Sequence, residues 1–297
     1  MQSANVLAWG RHPVVEIWDS PVPPPVDRIG SRGWFRAASR AIPLVALLLC
    51  GLMLLLFTRL IERPLYGVKR PITPHIAQFV SRAAFFVLGI RFESTGAPMT
   101  GSGAVVANHS SWLDIFALNA RKRIYFVSKS EVAGWPGIGF IARATGTVFI
   151  RRDRREAAAQ VAVFRTRLAA GHKLLFFPEG TSTDGLQVLP FKPTLFAAFF
   201  DDALRETLQI QPVTVNYIAP PRADPRFYGW WGDMALGPHL LHTLAAKRQG
   251  AVHVIYHTPV QVSSFADRKA LARAVEDAVR DGLFQSATET YGAESLP

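Results

Sequence analysis

The side chains able to do chemistry gather in three short stretches. Asn108-His-Ser-Ser-Trp-Leu-Asp114 offers an imidazole and a carboxylate five positions apart. If a helix opens just after this stretch begins, the Asp114 carboxylate bends back across its first turn and accepts a hydrogen bond from one nitrogen of His109. That contact fixes the tautomer and leaves the other nitrogen as a general base. Ser111-x-x-Asp114 is also a capping box, in which the carboxylate serves only the helix end. Phe177-Pro-Glu-Gly-Thr-Ser-Thr183 brings the carboxylate of Glu179 and several hydroxyls, Thr181 among them, while Gly180 lets backbone N–H groups approach a ligand. Such a loop suits a polyol or a phosphate-bearing substrate, and a plain Pro-Gly turn has the same letters. Gly146-Thr-Val-Phe-Ile-Arg-Arg152 ends in two guanidiniums, Arg151 and Arg152, fit for bidentate phosphate binding or for a solvated basic surface.

These stretches need strands to hold them. Residues 103–107 and 173–177 are short apolar runs that read as buried strands, each delivering its motif at the carboxyl end, where open α/β sheets bind ligands. Residues 210–215 and 251–256 read as strands too. Helices are expected over 154–170, stopping at Gly171, and over 189–204; a Ser264-Phe-Ala-Asp267 capping box opens a last helix to about residue 283. The expected fold is α/β, a mixed, largely parallel β-sheet flanked by helices.

Ahead of the sheet, residues 41–58 are eighteen uncharged residues bounded by Arg40 and Arg59. As a helix they extend ~27 Å, just short of a ~30 Å hydrocarbon core. The segment lies too far along the chain, and is too long, for a removable signal. Residues 72–90 form an amphipathic pattern with Ile72, Ile76, Phe79, Val80, Ala83, Phe86, Val87 and Ile90 on one side and His75, Gln78, Ser81 and Arg82 on the other. Arginines precede and follow the first helix, so the positive-inside rule gives no orientation. A two-helix membrane-anchoring hairpin seated in one leaflet is expected, the alternative being that 72–90 packs on the globular domain. The domain scheme is a linker at 1–40 with a proline run, the hairpin at 41–90, the α/β domain at 91–285 and a flexible tail at 286–297.

Composition narrows the class. Of 297 residues 49% are hydrophobic and 19% charged, too apolar for a disordered chain and too charged for a polytopic transporter. The net charge of +11 suits anionic phospholipid, nucleic acid or an acidic protein. A single cysteine, Cys50, excludes an intrachain disulfide and a thiolate-rich zinc site. His-x4-Asp alone is not a zinc triad, so no metal is expected. There is no phosphate-binding Gly-x4-Gly-Lys-Ser/Thr loop, and no nucleic-acid motif, so no nucleic-acid partner is expected. Phe227, Tyr228, Trp230 and Trp231 are either an interfacial aromatic belt or core.

Taken together, the three stretches resemble the glycerolipid acyltransferase family, membrane enzymes that acylate glycerol 3-phosphate and lysophospholipids. Asn108-His109 with Asp114 is similar to the family's first block, Gly146-x-x-Phe-Ile-x-Arg152 to its second, Phe177-Pro-Glu-Gly-Thr181 to its third and Gln211-Pro-Val213 to its fourth, in the family's order. The resemblance implies transfer of an acyl group from an acyl carrier protein or acyl-CoA thioester, with no other cofactor, to the free hydroxyl of a lysolipid. It implies that His109 is the base and Asp114 orients it, that Glu179, Gly180 and Thr181 position the acceptor, and that Arg152, with Arg151, holds the head group. It also implies membrane lipids as partners, and a bacterial inner-membrane location with the catalytic domain on the cytoplasmic side.

The family commonly has Arg-Ser after the third block, where Ser182-Thr183 stand here, so one phosphate-gripping charge is absent. Residues 132–139 and Trp230-Trp-Gly-Asp-Met234 with Gly237-Pro-His239 resemble the branch that acylates lyso-ornithine lipid, leaving 1-acylglycerol 3-phosphate and lyso-ornithine lipid both open as acceptors. A membrane-bound serine hydrolase using Ser110 or Ser182 is the rival enzyme, weakened by the lack of a Gly-x-Ser-x-Gly elbow. A basic, non-enzymatic membrane-surface protein is the other alternative.

Overall fold

Strand-forming runs buried on both faces dictate a sheet covered on both sides, and the computed structural model, which describes residues 28–101, 103–151 and 157–291, has that architecture. The strands are β1 (Arg91–Thr95), β2 (Gly103–Ala107), β3 (Tyr125–Lys129), β4 (Val148–Ile150), β5 (Lys173–Phe176), β6 (Gln209–Ile218), β7 (Ala251–Tyr256) and β8 (Val260–Gln261). They order as β1-β7-β6-β2-β5-β3-β4, with β8 beside β6. Five pairings are parallel; β6–β7 and β6–β8 are antiparallel. The expected mixed, largely parallel sheet is therefore met.

The pleat sorts the core into two layers. Val105 and Ala107 of β2 face one layer with Val213 and Val215, under α2 (Thr73–Leu88), α3 (Asp114–Arg121) and α7 (Leu236–Ala245). Ala104 and Val106 face the other with Leu174, Phe176 and Ile210, under α5 (Ala157–Ala169) and α8 (Arg268–Tyr291). The remaining helices are α1 (Ser31–Tyr66), α4 (Ile138–Thr145) and the single turn α6 (Asp202–Arg205). Phe227, Tyr228 and Trp231 are buried, so three of the four aromatics in that stretch are core rather than belt.

Four expectations change. Residues 189–204 do not form one helix: Pro190 and Pro193 withhold backbone donors, leaving extended chain, then a 3₁₀ segment over Pro193–Phe200, then α6. The last helix is capped by Asp267, whose Oδ1 accepts the Lys269 and Ala270 N–H groups, not by Ser264, which ends a preceding 3₁₀ turn. That helix runs past the expected tail boundary to Tyr291, held by Ser286, whose hydroxyl accepts a 2.7 Å hydrogen bond from Asn216 inside the domain. The first helix is 36 residues long, starting within the segment assigned as linker. The proline run, Arg152 and the chain's last six residues lie outside the described residues.

In the hairpin, α1 and α2 approach closely at Gly51, where a Cβ would stand 2.5 Å from a Val80 methyl. The faces of α2 are also redistributed: Phe79 and Phe86 point outward beside His75 and Arg82, while Ser81 is buried and donates to Ala77 O. The helix uses Ala84, Phe85 and Leu88 to pack inward.

Candidate active site

At the carboxyl end of β2 the chain turns into α3, and Asp114 sits in that helix's first turn. Its side chain folds back as the spacing requires: His109 Nδ1 lies 2.7 Å from Asp114 Oδ2, which also accepts the N–H groups of Ser110 and Ser111 at 3.0 and 3.1 Å. The second oxygen, Oδ1, accepts the Tyr217 hydroxyl at 2.7 Å. Four donors thus surround one carboxylate whose side chain has no solvent exposure. An anion held this way fixes the imidazole's orientation and favours the tautomer with the proton on Nδ1. The His109 ring is 24% exposed, Nε2 makes no hydrogen bond among the described residues, and Phe177 stacks on the ring at 4.1 Å and 14°.

The loop after β5 closes against this turn. Glu179 is buried; its Oε1 accepts the His109 N–H at 2.6 Å and its Oε2 the Leu189 N–H at 2.7 Å. Burial pushes this carboxyl up to about 8, against the two N–H donors that pull it down. The carboxylate therefore braces backbone, and the surface left for a ligand comes from Gly180, Thr181 and Ser182, all partly exposed. Gly180 holds φ +77°, where a side chain would be strained. Thr183 N–H, in the same loop, donates to His109 O at 2.8 Å and Trp230 N–H to Ser110 O at 2.8 Å, so the His109 turn is held from one further loop as well. Asn108 pairs both ways with the Val215 backbone, at 2.8 and 2.9 Å, fastening β2 to β6.

The third stretch arrives from farther off. Arg151 stands exposed just past β4, three strand positions from β2, which is ~14 Å at ~4.8 Å per strand. It can meet a substrate that bridges the strand ends but not the dyad itself, and Arg152 is outside the described residues. Gln211 of the fourth block ties loops together, accepting Met99 N–H and donating to Ala97 O and His257 O. Ser110, the rival nucleophile, has a buried hydroxyl with no partner among the described residues, lying against Gly185 and not bonded to His109. Sequence reasoning missed Tyr217. It stands 103 residues from Asp114, and no local pattern marks it; only the pairing of β6 beside β2 reveals it.

The mostly parallel sheet carries its histidine–aspartate pair at a central strand's carboxyl end, and the Acyltransferase family model matches residues 90–216 of this α/β domain. The chain belongs to that family and is an acyltransferase. It is 58% identical over 272 residues to the lyso-ornithine lipid O-acyltransferase of Rhodobacter capsulatus, spanning 91% of this chain and 98% of that one. It is 33% identical over 208 residues to the 1-acyl-sn-glycerol-3-phosphate acyltransferase of Neisseria gonorrhoeae, spanning 68% and 78%. The crystal structure of PlsC, the 1-acyl-sn-glycerophosphate acyltransferase of Thermotoga maritima, shares the fold, with a TM-score of 0.62 at 21% identity over 86% of this chain and 96% of that one.

Proposed function

We propose that this acyltransferase moves a fatty acyl group from an acyl carrier protein or coenzyme A thioester to the free hydroxyl of a lysolipid, with lyso-ornithine lipid as the preferred acceptor. The observation that carries the mechanism is the 2.7 Å contact between His109 Nδ1 and Asp114 Oδ2, which leaves Nε2 without a hydrogen bond among the described residues. Nε2 takes the acceptor hydroxyl's proton as the oxygen attacks the thioester carbonyl. The tetrahedral intermediate collapses, the C–S bond breaks, and the imidazolium returns the proton to the leaving thiolate. Asp114 stays ionised throughout and stabilises the imidazolium. General-base help of this kind contributes roughly 10²- to 10⁴-fold.

Two features favour lyso-ornithine lipid over 1-acylglycerol 3-phosphate. The relative acting on the former is more similar over nearly the whole chain, and Ser182 stands where the family commonly carries a phosphate-gripping arginine. Thr181 and Gly180 are then the acceptor-positioning groups at the strand end, with Arg151 at the head-group rim.

The hairpin supplies the location. One 18-residue window of α1 has mean hydropathy 2.6 and is only 11% buried, long and apolar enough to cross a membrane. Both ends of the hairpin are nonetheless tied to the same domain. Arg36 and Arg40 donate to the carbonyls of Leu244, Ala245 and Ala246 at the end of α7, and Arg70 donates to Ala144 O in α4. A helix ~54 Å long held at both ends favours lying in one leaflet, on the cytoplasmic side of a bacterial inner membrane, where acyl thioesters are found. An active site there spares both acyl chains the ~0.8 kcal/mol per methylene of extraction into water.

The test offers purified full-length protein lyso-ornithine lipid and 1-acylglycerol 3-phosphate separately, each with acyl carrier protein and coenzyme A thioesters. Ornithine lipid formation at the higher kcat/KM is expected. Acylation of neither acceptor would refute the substrate assignment.

A further inference from the structure

Away from the dyad, a groove of about 320 Å³ opens between α2, β1 and the end of α3, lined by Arg82, Phe92, Ser94 and Arg121. Arg82 is pre-positioned, its Nε donating to Ala120 O at 2.5 Å, and its two terminal nitrogens have no hydrogen-bond partner among the described residues. Arg121, in the last turn of α3, has no hydrogen bond or ion pair among them. Among the described residues no carboxylate lines the groove. The nearest acid in sequence, Glu93, belongs to the other face of the pleat and pairs with Arg91 at 3.1 Å. The neighbouring strand carries Tyr256 on the same face of the sheet; its hydroxyl is buried, has no hydrogen-bond partner among the described residues, and feels the charge of Arg121.

Two guanidiniums lining one groove suit a phosphate. What stands beside them chooses its source. Phe79 and Phe86 lie three residues before and four after Arg82, on the same face of α2, and are 67% and 88% exposed. Exposed phenylalanines bracketing a cation have no use for a soluble anion, but they match the boundary where phosphate gives way to acyl chain. The helix that bears them is the second helix of the apolar hairpin. The geometry points to a binding site for the phosphate of an anionic phospholipid, gripped by Arg82 and Arg121 with Phe79 and Phe86 reaching into its acyl chains. The site is separate from the reaction centre and independent of the acceptor and the base assigned above.

Native mass spectrometry of the full-length protein released from detergent micelles, titrated with phosphatidylglycerol or phosphatidylcholine, tests the site without any activity readout. Wild type should retain one phosphatidylglycerol more tightly than phosphatidylcholine. At about 5-fold per guanidinium, Arg82→Gln with Arg121→Gln should lower phosphatidylglycerol affinity ~25-fold and leave phosphatidylcholine unchanged. Arg121→Gln alone removes no hydrogen bond among the described residues, so its ~5-fold loss reads the site even if the Arg82 variant unfolds. The double substitution Arg268→Gln and Arg273→Gln, on exposed positions of α8, removes the same charge elsewhere. An equal loss there would overturn the site in favour of general attraction. Displacement of the bound phospholipid by inorganic phosphate as readily in wild type as in Phe79→Ala with Phe86→Ala would overturn the lipid assignment.

Discussion

The carboxyl ends of β2 and β5 and the α1–α2 hairpin are built on opposite rules. At the strand ends, polar side chains are buried and paired: Asp114 accepts four hydrogen bonds, Glu179 two, and Asn108 makes two. Along the hairpin, large apolar side chains stand outside; Leu49 is 58% exposed, Phe57 60% and Leu60 72%. Polar contacts of α1 concentrate at its ends, Arg36 and Arg40 on the α7 carbonyls and Glu62 on Thr73 and the Ile72 N–H. The first region needs a dry surround in which hydrogen bonds hold geometry. The second needs a solvent other than water. On the function proposed above, the two together let a lipid hydroxyl meet a rigid base without leaving the bilayer boundary.

That contrast can be broken at several points. His109→Ala should cut kcat by roughly 10²- to 10⁴-fold in a protein that still folds, and near-normal turnover would remove the base from the mechanism. Glu179→Ala orphans two N–H groups, each worth about 1–3 kcal/mol, so stability measured by denaturant should fall by several kcal/mol. A stable variant with only a raised KM would instead make Glu179 an acceptor ligand.

On the hairpin the effects should separate. Leu49→Arg places a charge on the exposed stripe, costing about 2.5–3.5 kcal/mol in hydrocarbon, and should shift the protein toward the soluble fraction without changing unfolding of the domain. Leu44→Ala, at a buried position of the same helix, should do the reverse. Unchanged membrane association in Leu49→Arg would mean that this stripe does not face lipid.

Two smaller effects sharpen the polar side. Tyr217→Phe removes one of Asp114's four hydrogen bonds and should lower kcat about 10-fold with KM little changed, the scale of one hydrogen bond to a charged group. At the opposite end of the sheet His172 is buried with both ring nitrogens unpaired among the described residues, and burial followed by the Arg167 charge pulls it down to about 3 from 6.5. Its folded form stays neutral while the unfolded form takes up a proton, so stability is lost as pH falls below 6.5 toward 3. His172→Phe should remove this ring's share of that slope, leaving the share of His239, which burial also lowers, and gain about 1.4 kcal/mol on wild type at pH 5.5. An unchanged pH profile would show that the ring is not the titrating group.

Much of this molecule is legible in one dimension because its signals are local. Apolar runs place β2, β5 and β7, the five-residue step from His109 to Asp114 specifies a contact across one helical turn, and an uncharged stretch marks α1. The reading failed where local patterns compete. Pro190 and Pro193 defeat a helical periodicity, and the apolar face drawn for α2 left out Ala84, Phe85 and Leu88, the residues that packing buries. Nothing in the letters says that Glu179 turns to the backbone of His109 rather than outward, that Tyr217 reaches Asp114, or that Arg82 and Arg121 share a groove. Those depend on which strands lie side by side and which helices cover them, and burial then decides, because a polar atom shut away from water takes whatever partner the sheet order brings within reach.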